Sequence, residues 1–333
     1  MPSRLRFLPI AAVLVALALT AVIAGFVHAS HKRRIADTMQ AAAERIEHRV
    51  GNYVLALKAI RGAFAASRQV PPRQFLVDML RVLPSRNGVA GAQGFGFAMA
   101  TPVADPSEAM ARLRRYYGIE RAPFPATDQP VRYPIVMLEP ADARNLRALG
   151  FDMYQEPQRR MAMQNAARTG LAAATGPIAL VQDGQGEDQQ RGFLIYVALF
   201  NRDGVDVAGA PAQDAAGFLY APVRMNDLIE QVLAEEPAIS VAIEAFSESP
   251  EERNLLYRSP VPPTDAVVVP IQAADRRWIL RVGEAEARRG LSPAVFVGLI
   301  GLVLAGAAGP PAGPHTHRAH PPRRAAPELK EHG

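Results

Sequence analysis

The chain contains no cysteine, which excludes disulfides, thiol nucleophiles and cysteine-ligated metals. An exported domain with a large enough core can do without disulfides, so this absence is neutral on compartment. Histidine is nearly as informative. All 7 histidines lie outside the central body: His28, His31 and His48 near one end, His315, His317, His320 and His332 near the other. Between Asn52 and Pro314 there is none. The body therefore has no imidazole for general-base catalysis, a Ser–His pair or a zinc site. Carboxylate chemistry is what remains open to it.

Charge is absent from two long stretches, Phe7 to Val27 and Leu291 to Ala308. Each is long enough, or nearly so, to cross a bilayer as a helix. Arg4 and Arg6 precede the first, and Val27-His28-Ala29-Ser30 could pass for a signal-peptide cleavage site. The apolar run exceeds the roughly 7–15 residues of a signal core, which favours an uncleaved anchor. Basic residues on both sides leave its orientation open. The net charge of +5 is scattered, apart from Lys32-Arg33-Arg34 and Arg323-Arg324. Such clusters beside spans suit lipid headgroups, and nothing in them points to nucleic acid.

After the first run, Ile35, Met39, Ala42, Ile46, Val50, Tyr53, Leu57, Ile60 and Phe64 recur at spacings of 4, 3, 4, 4, 3, 4, 3 and 4. This near-heptad stripe, without proline from position 10 to 70, predicts one long helix with a stalk over 29–70. The stripe could pack on the chain's own domain or form a parallel homodimer seam. Both uses stay open.

Beyond Pro71-Pro72 the body reads as α/β (α+β). Helices are expected over Arg73 to Leu83, Pro106 to Tyr117, Ala141 to Leu149 with Gly150 as C-cap, and Gln158 to Thr169 stopped by Gly170. Strands are expected over Gln93 to Ala100, Arg132 to Glu139, Ile178 to Gln182 and Gly192 to Phe200, the last two as an antiparallel pair. Gly91, Gly94 and Gly96 make a GxxGxG pattern, but no phosphate-binding lysine and helix follow, so no nucleotide cofactor is expected. The Gly/Asp/Ala stretch Asn201 to Ala216 reads as a boundary. After it a strand, a helix (Met225 to Leu233) and further strands to Gly283 resemble a small PAS-like sheet.

Several short segments then fall in a recognisable order. They are Tyr133-Pro134-Ile135-Val136 with Glu139-Pro140, Gly150-Phe151-Asp152 with Glu156-Pro157, Arg159-Arg160, Ala167-Arg168-Thr169-Gly170, Thr175-Gly176-Pro177-Ile178 and Gly192-Phe193-Leu194-Ile195-Tyr196. Together they resemble the CHASE domain, the extracytoplasmic sensory domain of many bacterial histidine kinases and nucleotide cyclases and of plant cytokinin receptors. The resemblance implies a stalk helix followed by two tandem PAS-like subdomains, flanked by two transmembrane helices. On it the chain divides into residues 1–28 (cytoplasmic start and first transmembrane helix), 29–70 (stalk), 71–205 (membrane-distal ligand-binding subdomain), 216–288 (membrane-proximal subdomain), 291–308 (second transmembrane helix) and 309–333 (disordered tail). It also implies a homodimer through the stalk and a body facing the periplasm from the inner membrane.

For a site, the resemblance implies a small-molecule ligand, purine-like or another organic compound. It would meet the carboxylate of Asp152, a main-chain group of Ala174, and the side chain of Tyr196. In the plant receptors a threonine stands at this last position, and the tyrosine would reshape the pocket. Independently, a carboxylate between Phe151 and Met153 would be partly desolvated and would favour a ligand bringing two donors. The competing reading is an aspartate that caps the next helix or pairs with Arg159 or Arg160. Tyr133 and Trp278 read as core, and Arg159 as an ion-pair residue.

After Ala308 the chain is rich in glycine, proline and histidine and has no helical or strand period. His315, His317 and His320 could hold a metal weakly, but a solvated tail is the simpler reading, and no metal site is assigned. No output domain of the family's kinase or cyclase kind is expected there. The reading is a membrane-anchored sensor without catalytic activity of its own. The alternatives are a non-binding spacer or dimerisation module and, more remotely, an enzyme using Asp152 and Glu156.

Overall fold

A computed structural model of the chain describes residues 8–67, 70–82, 91–183, 191–200, 214–234 and 241–285. The second apolar run, the tail and most of the expected boundary loop lie outside these residues. Residues 31–289 form one compact unit. Helix α1 (Leu8–Ala65) is continuous, as the proline-free stretch dictates. In its first part Leu14, Val15, Leu19, Val22 and Phe26 are 61–74% exposed. Counting described side chains alone, no helix is long and apolar enough to cross a membrane. The side chains of 8–13, 16 and 17 lie outside that count.

From Met39 onward the stripe is buried: Met39, Ala42, Ile46, Val50, Tyr53, Leu57, Ile60 and Phe64 are all 4% exposed or less. They share one core with residues of both sheets described below. The chain's own body thus takes up this face of the helix. A homodimer through the stalk, the other use left open for the stripe, would need a different face.

Helix α2 (Arg73–Val82) follows Pro71-Pro72 and buries Leu76. Its Arg73 grips the buried Glu139 with a two-pronged pair, and the Tyr117 hydroxyl donates to the same carboxylate at 2.9 Å. Helix α3 (Ser107–Tyr117) ends at Gly118 in the left-handed region.

The first sheet has 6 strands, ordered β4-β1-β8-β7-β5 with β6 also on β7. They are β1 (Phe95–Met99), β4 (Ile135–Glu139), β5 (Ala173–Ala174), β6 (Ile178–Ala179), β7 (Arg191–Phe200) and β8 (Ala215–Arg224). All pairs are antiparallel. Strand β7 shows why the sequence reads as an unbroken apolar run. Its Phe193, Ile195 and Val197 enter the core shared with α1. Leu194, Tyr196 and Ala198 enter a second core on the opposite face. Period-two alternation with both faces covered makes every position apolar. The two short strands β2 (Thr101–Pro102) and β3 (Val131–Arg132) form a separate pair.

The second core is closed by helix α4 (Asn145–Ala148) and helix α5 (Pro157–Thr169). Helix α4 is shorter than expected, and its C-cap is Leu149 in extended conformation. Gly150 is left-handed at φ 85, yet it sits past the cap and donates to the Ile135 carbonyl. The expected strand over Ile178 to Gln182 keeps only β6 and turns into a short 3-10 helix at Val181–Asp183.

The expected boundary at 201–216 is corrected by strand pairing. Strand β8 does not open a second unit; it pairs with β1 and β7 in the middle of the first sheet. Helix α6 (Met225–Ala234) then buries Leu228, Ile229 and Val232 in the core shared with α1. The second sheet begins only at β9 (Val241–Ser247). It continues with β10 (Leu255–Arg258), β11 (Pro263–Ala273) and β12 (Arg276–Ala285), ordered β10-β9-β12-β11. Apolar alternation shows that a strand exists but not which sheet it joins. The glycines of the GxxGxG pattern are also explained here. A Cβ on Gly96 would lie 2.5 Å from the Tyr220 ring, so neighbouring strands require the glycine.

Candidate functional site

Asp152 follows the left-handed turn at Gly150 and lies beside β4, where Pro134 and Asp152 form an isolated bridge. Its side chain is 0% exposed. Oδ1 accepts the main-chain amides of Tyr133 at 2.9 Å and Tyr154 at 3.1 Å. Oδ2 is buried with no hydrogen-bond partner. Burial pushes the Asp152 carboxyl above the usual carboxylate range, against the two amide bonds and the Arg132 charge, which pull it down.

Neither structural role weighed for Asp152 is the one it plays. The helix cap is Glu156, whose two oxygens accept the amides of Gln158 at 3.0 Å and Arg159 at 2.9 Å, with Pro157 in the first turn. Arg159 turns to the Ala179 carbonyl at 2.9 Å, the Met153 sulfur at 3.3 Å and the face of Phe151 at 4.8 Å. Its ion-pair partner is Glu156, at 3.8 Å. Arg160 donates to the Tyr154 carbonyl at 3.1 Å. The capping duty also removes Glu156 as a free partner for Asp152 in carboxylate chemistry.

Tyr196 reaches the same neighbourhood from β7. Its hydroxyl donates to the Met153 sulfur at 3.3 Å, which places it one residue from Asp152. Phe218, Tyr220 and Tyr133 complete the surroundings: ring centroids lie 6.3 Å (Tyr196–Phe218), 6.2 Å (Tyr196–Tyr220) and 5.1 Å (Tyr133–Phe218) apart. Burial raises the Tyr196 and Tyr220 hydroxyls well above their ordinary value, so both are neutral. The Tyr220 oxygen is buried without a hydrogen-bond partner.

Ala174 is not brought to this group. In register, Ala173 pairs with Tyr196 and Ala174 with Ile195. Ala173 belongs to the core on the Asp152 side, and Ala174 to the core shared with α1. Both main-chain groups of Ala174 are already engaged. Its amide donates to Asp275 Oδ1 at 2.7 Å, and its carbonyl accepts from Arg276 Nε at 2.7 Å.

The sequence profile of the CHASE domain matches residues 73–257. The chain belongs to the CHASE domain family. The assignment makes this an extracytoplasmic sensory domain rather than a catalytic one. No curated protein matches the chain. Among solved structures it is similar to methyl-accepting chemotaxis protein X, at 15% identity and TM-score 0.42, covering 76% of this chain and 98% of that one. It is also similar to an extracellular ligand-binding receptor from Desulfohalobium retbaense DSM5692, at 8% identity and TM-score 0.45, covering 75% of this chain and 40% of that one. A third is the ligand-binding domain of the Pseudomonas aeruginosa PAO1 amino-acid chemoreceptor PctC in complex with GABA, at 9% identity and TM-score 0.39, covering 75% and 98%.

Sequence reasoning used Met153 only as an apolar neighbour of Asp152 in this CHASE domain, and it missed Tyr220 and, beyond the matched residues, Asp275 and Arg276. Met153 and Tyr220 carry no local signal, because a buried methionine or tyrosine reads as core. Asp275 and Arg276 sit between two apolar strands and read as an ordinary hairpin turn. Only the folded chain brings that turn to Ala174.

Proposed function

We propose that the chain is a membrane-anchored CHASE sensor that binds a small organic ligand on the Asp152 side of the first sheet. The observation that carries this is the second oxygen of Asp152, fully buried and without a hydrogen-bond partner. An unmet buried acceptor costs about 1–3 kcal/mol, and a ligand donor would recover it. The neutral hydroxyls of Tyr196 and Tyr220 add two further polar contacts in an aromatic surround. A ligand presenting an N–H edge, such as an amino-purine or an ammonium group, suits this set. Asp152 and Tyr196 would touch it directly. Ala174 would act through the position of its strand rather than by a free main-chain group.

The anchor is proposed at Phe7 to Val27, supported by the absence of charge from the first part of α1 and by its exposed apolar side chains. A second anchor is proposed at Leu291 to Ala308 on its charge-free sequence. The body would face the periplasm from the inner membrane. The two sheets would then be tandem PAS-like subdomains, the first membrane-distal and the second membrane-proximal.

Thermal-shift screening of residues 31–289 against purines, amino acids and organic acids tests the reading. A shift that disappears in Asp152→Ala, with the fold retained, supports it. A second reading, a non-binding spacer, is favoured by the complete burial of Tyr133, Tyr196 and Tyr220. No shift across the library would select the spacer.

A further inference from the structure

The tip of the β11–β12 hairpin carries a contact that the ligand reading does not use. Asp275 accepts the Ala174 amide on Oδ1 and the Asn165 side-chain amide on Oδ2. Arg276 donates to the Ala174 carbonyl and pairs with Glu248 at the end of β9. One short turn thus holds both main-chain groups of a first-sheet residue and the C-terminal half of α5.

Backbone geometry marks the same place. Among the described residues, the non-glycine residues with left-handed φ are Glu248 at 72° and Ala274 at 54°. L residues rarely adopt this conformation, and it persists where surrounding contacts hold it. Both flank the contact: Ala274 precedes Asp275 in the turn, and Glu248 is the partner of Arg276. Beside them Trp278 packs edge-on against Phe193 of β7 at 4.7 Å, so β12 is pinned to the first sheet at two points.

We propose that Asp275 and Arg276 are positioning residues that couple the Asp152 side of the first sheet to the second sheet. Two elements run from one to the other. Helix α5 touches Met153 and Phe151 through Arg159 and ends its run at Asp275 through Asn165. Strand β5 places Ala173 opposite Tyr196 and hands Ala174 to the clamp. A shift of either element moves the hairpin, and β12 is the last described strand before the second apolar run. The clamp lies beyond residue 257, where the family match ends. Its signalling meaning rests on the ligand reading above, but the link itself can be tested without a ligand.

The test is hydrogen exchange, read by mass spectrometry, on the full chain in detergent. Asp275→Ala is expected to raise exchange at residues 172–175 and 273–278 by about tenfold. Asp275→Asn is expected to keep exchange at 172–175 close to wild type, since its amide oxygen can still accept the Ala174 N–H, while its NH2 group no longer accepts the Asn165 side chain. The deciding measurement is a cycle with Asp152→Asn, a substitution on the far side that touches neither Asp275 nor Arg276. It is expected to change exchange at 273–278 in the wild-type background and not in Asp275→Ala. Should Asp275→Ala fail to fold, Arg276→Gln, which removes the guanidinium bond to the Ala174 carbonyl together with the Glu248 ion pair, runs the same cycle. An unchanged hairpin in Asp152→Asn, or the same change with and without the clamp, overturns the proposal. A ligand screen without hits leaves the cycle intact, and a failed cycle leaves any hit lost in Asp152→Ala standing.

Discussion

The Tyr133 amide donates to Asp152 Oδ1 at 2.9 Å across 19 residues of chain. That bond, with the Tyr154 amide on the same oxygen, holds one face of a carboxylate whose other oxygen is left unmet in the interior.

The raised pKa of Asp152 gives a signed pH dependence. Because the folded carboxyl holds its proton to higher pH than the unfolded one, folding binds protons between the two values. Wild-type stability therefore falls as pH rises from the ordinary carboxylate value through the raised one. Asp152→Asn keeps an acceptor for both amides and cannot ionise. It should be more stable than wild type near pH 7, with the difference vanishing towards pH 4. Urea melts at the two pH values check this, and a difference independent of pH would refute the burial argument.

The Arg73–Glu139 pair should be a stability element. Glu139 is 5% exposed and loses its cation in Arg73→Ala. Breaking a buried pair costs about 3–5 kcal/mol, and the partial exposure of Arg73 lowers the expectation to about 2 kcal/mol. Arg73→Lys should restore only part, because a single ammonium cannot span both oxygens. Chemical denaturation of the three proteins is the measurement; a loss under about 0.5 kcal/mol in Arg73→Ala would show the pair to be idle.

The stripe of α1 offers a contrast within one helix. Leu57 is 0% exposed and Leu55 is 66% exposed. Leu57→Ala should cost about 2–5 kcal/mol and Leu55→Ala under about 0.5 kcal/mol. The Leu57→Ala loss should also be the same at any protein concentration, because the side chain packs on its own chain. A loss that grows on dilution would instead assign this face to a dimer.

Gly96 should resist replacement. A Cβ there meets the Tyr220 ring and the Met137 carbonyl oxygen at 2.5–2.6 Å. Gly96→Ala should destabilise by about 1–3 kcal/mol or more, whereas Gly62→Ala, with nothing within 4 Å of the new carbon, should be neutral or stabilising. Equal effects at the two positions would contradict the packing described here.

Much of the local structure was legible in the chain. The proline-free stripe announced α1, Gly170 announced the end of α5, and the apolar run at 192–200 announced a strand. Less legible was where an element goes. Residues 215–224 read as a strand, yet only their pairing with β1 and β7 placed them in the first sheet. The helix before Gly150 shrank because that glycine's amide bonds Ile135 instead of closing the helix.

The sequence by itself determined the elements and the family. Periodicity, capping residues and short motifs act over a few residues, and their order survives in the linear chain. The family resemblance pointed to Asp152, and the apolar residues beside it gave a separate reason to expect a desolvated carboxylate. Tertiary structure alone decided what those residues do. It made Glu156 the helix cap, left one oxygen of Asp152 unmet, and turned the stalk stripe inward. It also gave both main-chain groups of Ala174 to Asp275 and Arg276, about 100 residues away in sequence. The physical reason is that hydrogen-bond satisfaction and burial belong to groups brought together in space, and the spacing of residues along the chain does not encode which groups those will be.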